Sequence, residues 1–311
     1  MTRQPYTDAI RERVIVFDGA FGTFVQGLDL GPDDFGGPSL EGCNEMLTLT
    51  RPDVIESMHR AFLDAGVDAI ETASFGSFST VLTEYDIPEK AYELNVAAAS
   101  IARRVADEYE AKDGRPRYVA GSIGPGTKLP SLGHITFGEL RDAYEEQARG
   151  LIDGGCDLFL IETCMDLLQI KAAMQACRRA MEATGRHIAI QVQVTMETTG
   201  RMLVGTEIGA AYAALVAMKP DAIGINCATG PAEMQEHLRY LSEHSEIPVS
   251  VLPNAGLPSV VDGKTHYDLT PQQLAEFHRH HVADLGIGIV GGCCGTTPEH
   301  LRAVEEAVRG V

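Results

Sequence analysis

The chain has 311 residues, 44% of them hydrophobic and 22% charged, which is the composition of a globular protein with a sizeable core. Its 25 Lys and Arg stand against 44 Asp and Glu, a formal charge of −19 that argues against nucleic acid and anionic membrane as partners. The first residues lack an apolar signal core and no apolar run reaches the length of a membrane span, so the expected setting is the cytoplasm.

In chain order, short apolar runs alternate with amphipathic stretches. The runs are residues 14–17 (VIVF), 69–72 (AIET), 118–123 (YVAGSI), 158–162 (LFLIE), 188–194 (IAIQVQV), 222–226 (AIGIN), 249–252 (VSVL) and 287–291 (IGIVG). Unbroken apolar runs suit strands buried on both faces, and their alternation with helices implies βα units. Helices are expected at 92–111, 167–182, 232–244 and 297–310, the last with Thr297 as N-cap and Pro298 at its first position. Two units repeat closely, FLDAGVDAIETASF (62–75) and LIDGGCDLFLIETC (151–164), and both close on Glu-Thr at Glu71 and Glu162. Eight strands each followed by a helix is the count of a (β/α)8, or TIM, barrel. No linker or composition break divides the chain, so one domain over residues 1–311 is expected. The irregular stretch 27–45 reads as a long insertion after the first strand.

Barrel active sites lie at the C-terminal ends of the strands. The residues that fall there are Asp18, Glu162, Asn226, Cys227, Asn254 and the vicinal pair Cys293 and Cys294. Adjacent cysteines are poor disulfide partners and poor packing choices, which leaves a metal. Three thiolates on neighbouring strands suit Zn2+, with a fourth position open. Gly291, Gly292 and Gly295 allow the irregular backbone that would aim both thiols at one ion. The other cysteines, Cys43, Cys156, Cys164 and Cys177, read as ordinary buried residues.

Three further motifs carry less. GSIGPGTK (121–128) resembles a phosphate loop only faintly, and no G-x-G-x-x-G follows the first strand. HRHH (278–281) has metal-like spacing at His278 and His281, but is expected on a polar, solvent-facing helix. Glu71 stays open between a core hydrogen bond and a place among the carboxylates.

The segments VFDGAFGT, EGCNEMLTLTRPDVIESMHRAFLDAGVDAIET, GINCATGPAEM, PNAGLP and GGCCGTTPEH resemble the homocysteine S-methyltransferase family, and within it the homocysteine-binding modules of cobalamin-dependent methionine synthases. The resemblance runs in order from Val14 to Ala307. It implies a barrel that binds homocysteine and passes a methyl group to its sulfur. It implies zinc ligands Cys227, Cys293 and Cys294, with Asn254 as a fourth ligand in the absence of substrate. Asp18 and Glu162 match the positions that hold the substrate amine, with Gly19 and Asn226 beside them as further substrate-binding candidates.

Complete synthases of this kind carry folate, cobalamin and reactivation modules, and this chain shows neither a second barrel nor the D-x-H-x-x-G cobalamin signature. It is therefore expected to act either as one module or with a separate corrinoid protein. Methylcobalamin carried by that domain or protein is the expected methyl donor. A small donor such as S-methylmethionine or betaine is the alternative, and a non-catalytic zinc-thiolate scaffold or sensor is the alternative of another class. The scarcity of aromatics, with no Trp and only Phe75 and Phe78 in the loop after the second strand, argues against a cage for a cationic donor. Residues 32–45 are the expected lining of an open mouth.

Overall fold

The structure is a computed structural model that describes residues 3–261 and 264–311. Its strands are β1 (Ile15–Val16), β2 (Ala69–Glu71), β3 (Tyr118–Ile123), β4 (Leu158–Cys164), β5 (Ala189–Val194), β6 (Ala222–Asn226), β7 (Val249–Leu252), β8 (Ser259–Val261), β9 (Lys264–His266) and β10 (Ile289–Val290). Eight of them form one parallel sheet in the order β1-β10-β7-β6-β5-β4-β3-β2. A bridge between Phe17 and Ala69 joins β1 to β2 and closes the ring. This is the (β/α)8 barrel expected from the eight apolar runs.

Each barrel strand leads to an outer helix, from Pro52–Asp64 after β1 to Pro298–Val308 after β10. Thr297 and Pro298 start the last helix as expected, and the Thr297 N–H donates to His300 Nδ1 at 3.2 Å. Strand residues alternate between two cores, as the period of two requires. Ile15, Phe17, Ala69, Tyr118, Ala120, Leu158 and Leu160 fill the barrel, while Val16, Val119, Phe159 and Ile161 pack under the helices. The short helix Tyr6–Glu12 closes the bottom, and its buried Tyr6 hydroxyl donates to Gln191 Oε1 at 2.6 Å.

The Asp that precedes strands in the repeated units has a definite task. The Asp68 N–H donates to the Val16 carbonyl at 2.7 Å, and its carboxylate accepts from the Val16 N–H at 3.0 Å. Asp157 makes the same reciprocal pair with Val119, and Asp221 makes it with Ile190. These clamps satisfy backbone groups at the start of each preceding strand, which would otherwise be buried without partners.

Two expectations need revision. The β8–β9 hairpin after β7 has no counterpart in the sequence reading. The HRHH motif is not solvent-facing: His278 and His281 are fully buried. They lie on Pro271–Ala283 in line with buried Leu274 and Ala275, and the helical repeat turns that stripe towards the barrel. Cys43, Cys156, Cys164 and Cys177 are buried and free, as expected. None of the described helices is long and apolar enough to cross a membrane.

Candidate active site

The strand period that fills the barrel also selects its upper layer. Glu71 lies two residues beyond Ala69, Ser122 two beyond Ala120, Glu162 two beyond Leu160, and Asn226 two beyond Gly224. All four therefore project from the C-terminal ends of their strands towards the barrel axis. Ser122 Oγ donates to Glu162 Oε1 at 2.6 Å, and Asn226 Nδ2 donates to Glu162 Oε2 at 3.2 Å. Asn226 Oδ1 accepts from the Thr163 N–H at 2.8 Å, so this buried amide braces both Glu162 and the irregular end of β4.

Three of the five non-glycine residues with positive φ among the described residues are here: Thr163 at 56°, Cys227 at 60° and Ala228 at 59°. Left-handed backbone at such residues is uncommon, and it concentrates where a site needs a side chain re-aimed. At Cys227 it turns the thiol into the cavity just past β6. On β10 the ladder stops at Val290, and the glycines replace it. A Cβ on Gly292 would come within 2.4 Å of Thr296 Oγ1, so the chain can fold this tightly only without a side chain there. The Cys293 N–H then donates to the Pro253 carbonyl at 2.8 Å, and the Cys294 N–H to Asn254 Oδ1 at 3.1 Å.

The result is one sulfur cluster. The Sγ atoms of Cys227, Cys293 and Cys294 lie within 4.8 Å of one another, with Cys227 and Cys294 3.9 Å apart. Tetrahedral zinc with Zn–S bonds of ~2.3 Å separates its sulfurs by about 3.8 Å. The cluster therefore fits that ion in both donor type and spacing. Hydrogen bonds from Cys227 and Cys293 pull the Cys294 thiol down to about 3, while the same contacts push Cys293 well up. One thiolate, Cys294, is thus held by two thiols, and Cys227 is pushed up to about 12, so a bound cation would be needed to ionise all three.

A cavity of about 300 Å³ opens over the cluster. Cys227, Cys293, Cys294, Glu71, Glu162 and Thr163 form its working wall. Burial raises the Glu162 carboxyl to about 7, helped by the charge of Cys294 and opposed by its hydrogen bonds from Ser122 and Thr163. Glu71 is raised well above the usual range by burial and by Glu162 and Asp18, and its Oε1 has no hydrogen-bond partner among the described residues. Asp18 stands behind this wall. Both its carboxylate oxygens accept from the Glu71 N–H at 3.1 Å, and burial raises it well above its ordinary value.

The expected residues thus fall into two ranks. Cys227, Cys293, Cys294 and Glu162 face the cavity. Asp18, Gly19, Asn226 and Asn254 back it, with Gly19 packed so that a Cβ would lie 2.5 Å from Thr296 Oγ1. Glu71 joins the front rank, a place foreshadowed by the Glu-Thr pair it shares with Glu162. Sequence reasoning missed Thr265 and Tyr267, which reach the cavity from the β8–β9 segment. Phe21 and Phe75 also line it, whereas Phe78 is buried against Tyr144 with ring centroids 4.7 Å apart. Of the insertion, Asn44 and Glu45 line the mouth, and Glu45 Oε1 accepts from the Gly76 N–H at 2.8 Å.

A barrel whose strand ends gather thiols and carboxylates around a small cavity is built as an enzyme of thiol or metal chemistry. Residues 15–308 match the profile of the family described as homocysteine S-methyltransferase, and the chain belongs to that family of methyltransferases. It is 55% identical over 304 residues to a methionine synthase of Mycobacterium tuberculosis and 55% identical over 301 residues to one of Mycobacterium leprae. These alignments cover 98% and 97% of this chain but 25% of each relative, so the chain spans about a quarter of their length. The metallated form of the Escherichia coli homocysteine methyltransferase MmuM has the same fold, with a TM-score of 0.79 at 22% identity over 97% of this chain and 99% of that one.

Proposed function

We propose that the chain binds homocysteine in the 300 Å³ cavity and presents its sulfur for methylation, giving methionine. The observation that carries this reading is the meeting, in one cavity, of the three-thiol cluster and the carboxylates Glu162 and Glu71. Homocysteine needs both: a place for its sulfur and a counter-charge for its ammonium group. Glu162, held by Ser122 and Asn226, would accept charge-assisted hydrogen bonds from that ammonium. Asp18 and Gly19 would set the floor behind it, with Asp18 fixing the backbone of Glu71.

Cys227, Cys293 and Cys294 would hold zinc, with Asn254 within the same loop cluster as a fourth ligand when substrate is absent. Bound there, zinc supplies Lewis acidity that keeps a coordinating thiol deprotonated near neutral pH. The surrounding thiolates keep the site electron-rich, which suits nucleophilic attack by sulfur. The transfer forms the S–CH3 bond of methionine, breaks the bond from methyl to its donor, and leaves the bonding electron pair with the donor. A reducing compartment such as the cytoplasm keeps all seven cysteines in the free state.

The donor reading is a methylcorrinoid carried by another domain or protein. It is supported by the 55% identity to methionine synthases and by the relatives' additional length. A second reading, a small cationic donor such as S-methylmethionine or betaine, draws support from Phe21, Phe75 and Tyr267 around the mouth. One experiment separates them. The zinc-loaded chain is incubated with homocysteine and, in parallel, methylcobalamin, S-methylmethionine or betaine, and methionine is measured. Methionine from methylcobalamin is the expected outcome. Turnover with a small donor and none with the corrinoid would replace the first reading with the second, and homocysteine binding without any turnover would favour a sensor.

A further inference from the structure

The buried HRHH histidines lie behind the sulfur cluster and link the two segments that carry it. His278 Nε2 is 2.8 Å from the carbonyl oxygen of Gly291, two residues before Cys293. His278 Nδ1 and His281 Nδ1 are 3.4 Å apart. His281 Nε2 is 2.8 Å from Gln235 Nε2, which also donates to the Pro231 carbonyl at 3.1 Å. Pro231 and Gln235 belong to the segment that leaves β6 through Cys227. From these contacts we propose that Gln235, His281 and His278 form a brace that holds the Cys227 segment and the Cys293–Cys294 segment at metal-binding separation.

The donor pattern has one self-consistent solution. A carbonyl only accepts, so His278 Nε2 carries the proton and its Nδ1 accepts. His281 Nδ1 must then donate, and its Nε2 accepts from the Gln235 amide. Each ring needs a single proton, and burial keeps both neutral by lowering His278 to about 4 and His281 to about 2. The chain of bonds therefore runs in one direction, from Gln235 to Gly291.

The strand end it reaches is otherwise tied on the inner side: Gly292 N–H to the Asp18 carbonyl, Cys293 N–H to Pro253, Cys294 N–H to Asn254. His278 supplies the outer tie. Without it the Gly291–Gly292 peptide would be held on one side alone, through the Gly292 N–H, and would be freer to tilt and shift both thiols. These are positioning residues outside the lining of the cavity, and their role concerns metal binding before any turnover.

This inference rests on the zinc reading above, and its test separates the two. Zinc affinity of the 311-residue chain is measured by competition with a chromophoric chelator. The sulfur-to-cobalt charge-transfer bands of the Co2+-loaded chain are recorded alongside. His278→Leu and His281→Leu are expected to weaken zinc binding by about 10–100-fold, the usual cost of losing an outer partner at a metal site, and to shift the cobalt bands. His278→Gln, which keeps an N–H for Gly291, is expected to recover most of the affinity. Gln235→Leu lies on a half-buried side chain, and its expected loss carries the test should the histidine variants fail to fold. Wild-type affinity and an unchanged cobalt spectrum in Gln235→Leu, or in folded His278→Leu, would overturn the brace. A wild-type chain that takes up no zinc would instead overturn the zinc reading beneath it.

Discussion

Asn226 and Glu162 meet at 3.2 Å, amide nitrogen to carboxylate oxygen, and the same amide nitrogen lies 3.9 Å from the sulfur of Cys293. One buried side chain thus touches both halves of the site, the cavity carboxylate and the sulfur cluster. Asn226→Leu removes the donor and leaves Glu162 with one fewer partner. Homocysteine affinity is expected to fall about tenfold, or ~1.4 kcal/mol, by calorimetry with zinc still bound. Unchanged affinity would show that the orientation of Glu162 does not depend on this bond.

Zinc content should be one ion per chain by elemental analysis. Cys293→Ser replaces a soft thiolate with a hydroxyl that is a poor ligand for this metal. Its loss of affinity should exceed the roughly 10–100-fold that removal of an outer partner costs. Full zinc in a triple variant of Cys227, Cys293 and Cys294 would place the ion elsewhere.

The carboxylates should separate by rank. Glu162→Gln and Glu71→Gln face the cavity and should each weaken homocysteine binding while zinc is retained. Asp18→Asn acts through the backbone of Glu71, so its effect is expected to be smaller, because the amide oxygen can still accept from the Glu71 N–H. Equal losses in all three variants would mean that Asp18 itself reaches the substrate.

His59 offers a test of pH dependence away from the site. It is fully buried on Pro52–Asp64, neither ring nitrogen has a partner among the described residues, and burial lowers it to about 3. The unfolded chain protonates this ring below its ordinary value of ~6.5, whereas the folded chain resists until about pH 3. The native state therefore loses stability as pH falls from 6.5 towards 3. His59→Leu should be more stable than wild type by about 1 kcal/mol at pH 7.5, where two orphaned polar atoms are removed. The advantage should widen by ~1.4 kcal/mol for each pH unit below 6.5. Urea unfolding of both proteins at pH 7.5 and 5.0 measures the gap, and a constant gap would contradict the neutral assignment.

The barrel was legible because its strands are buried on both sides and its helices on one, so apolar runs and helical stripes mark them directly. The vicinal cysteines were legible because few structural reasons place two thiols between glycines. Glu71 was harder: the Glu-Thr pair announced it, yet only its phase with Ala69 shows that it faces inward. Tyr267 was out of reach, since it enters the site from a short hairpin with no periodic signal. The HRHH motif was misread for the opposite reason. Polar composition suggests an outer face, but the spacing of 278 and 281 from Leu274 decides the face that is buried, and buried imidazoles are tolerated when each nitrogen finds a partner.

The reciprocal pairs of Asp68 with Val16, Asp157 with Val119 and Asp221 with Ile190 give the barrel a grain. Each joins an odd-numbered unit to the even-numbered one after it, so the chain is stitched in twos at the rim opposite the thiols. A cut between residues 72 and 117 would leave the first two stitches whole, one in each piece. A cut between 124 and 156 would strand Asp157 from its partner and leave a carboxylate and an N–H with nothing to meet. Complementing fragments should therefore reassemble from the first kind of cut and fail from the second. The thiol rim, which takes no part in the stitching, is left free to hold its left-handed cysteine and its glycine-rich strand end.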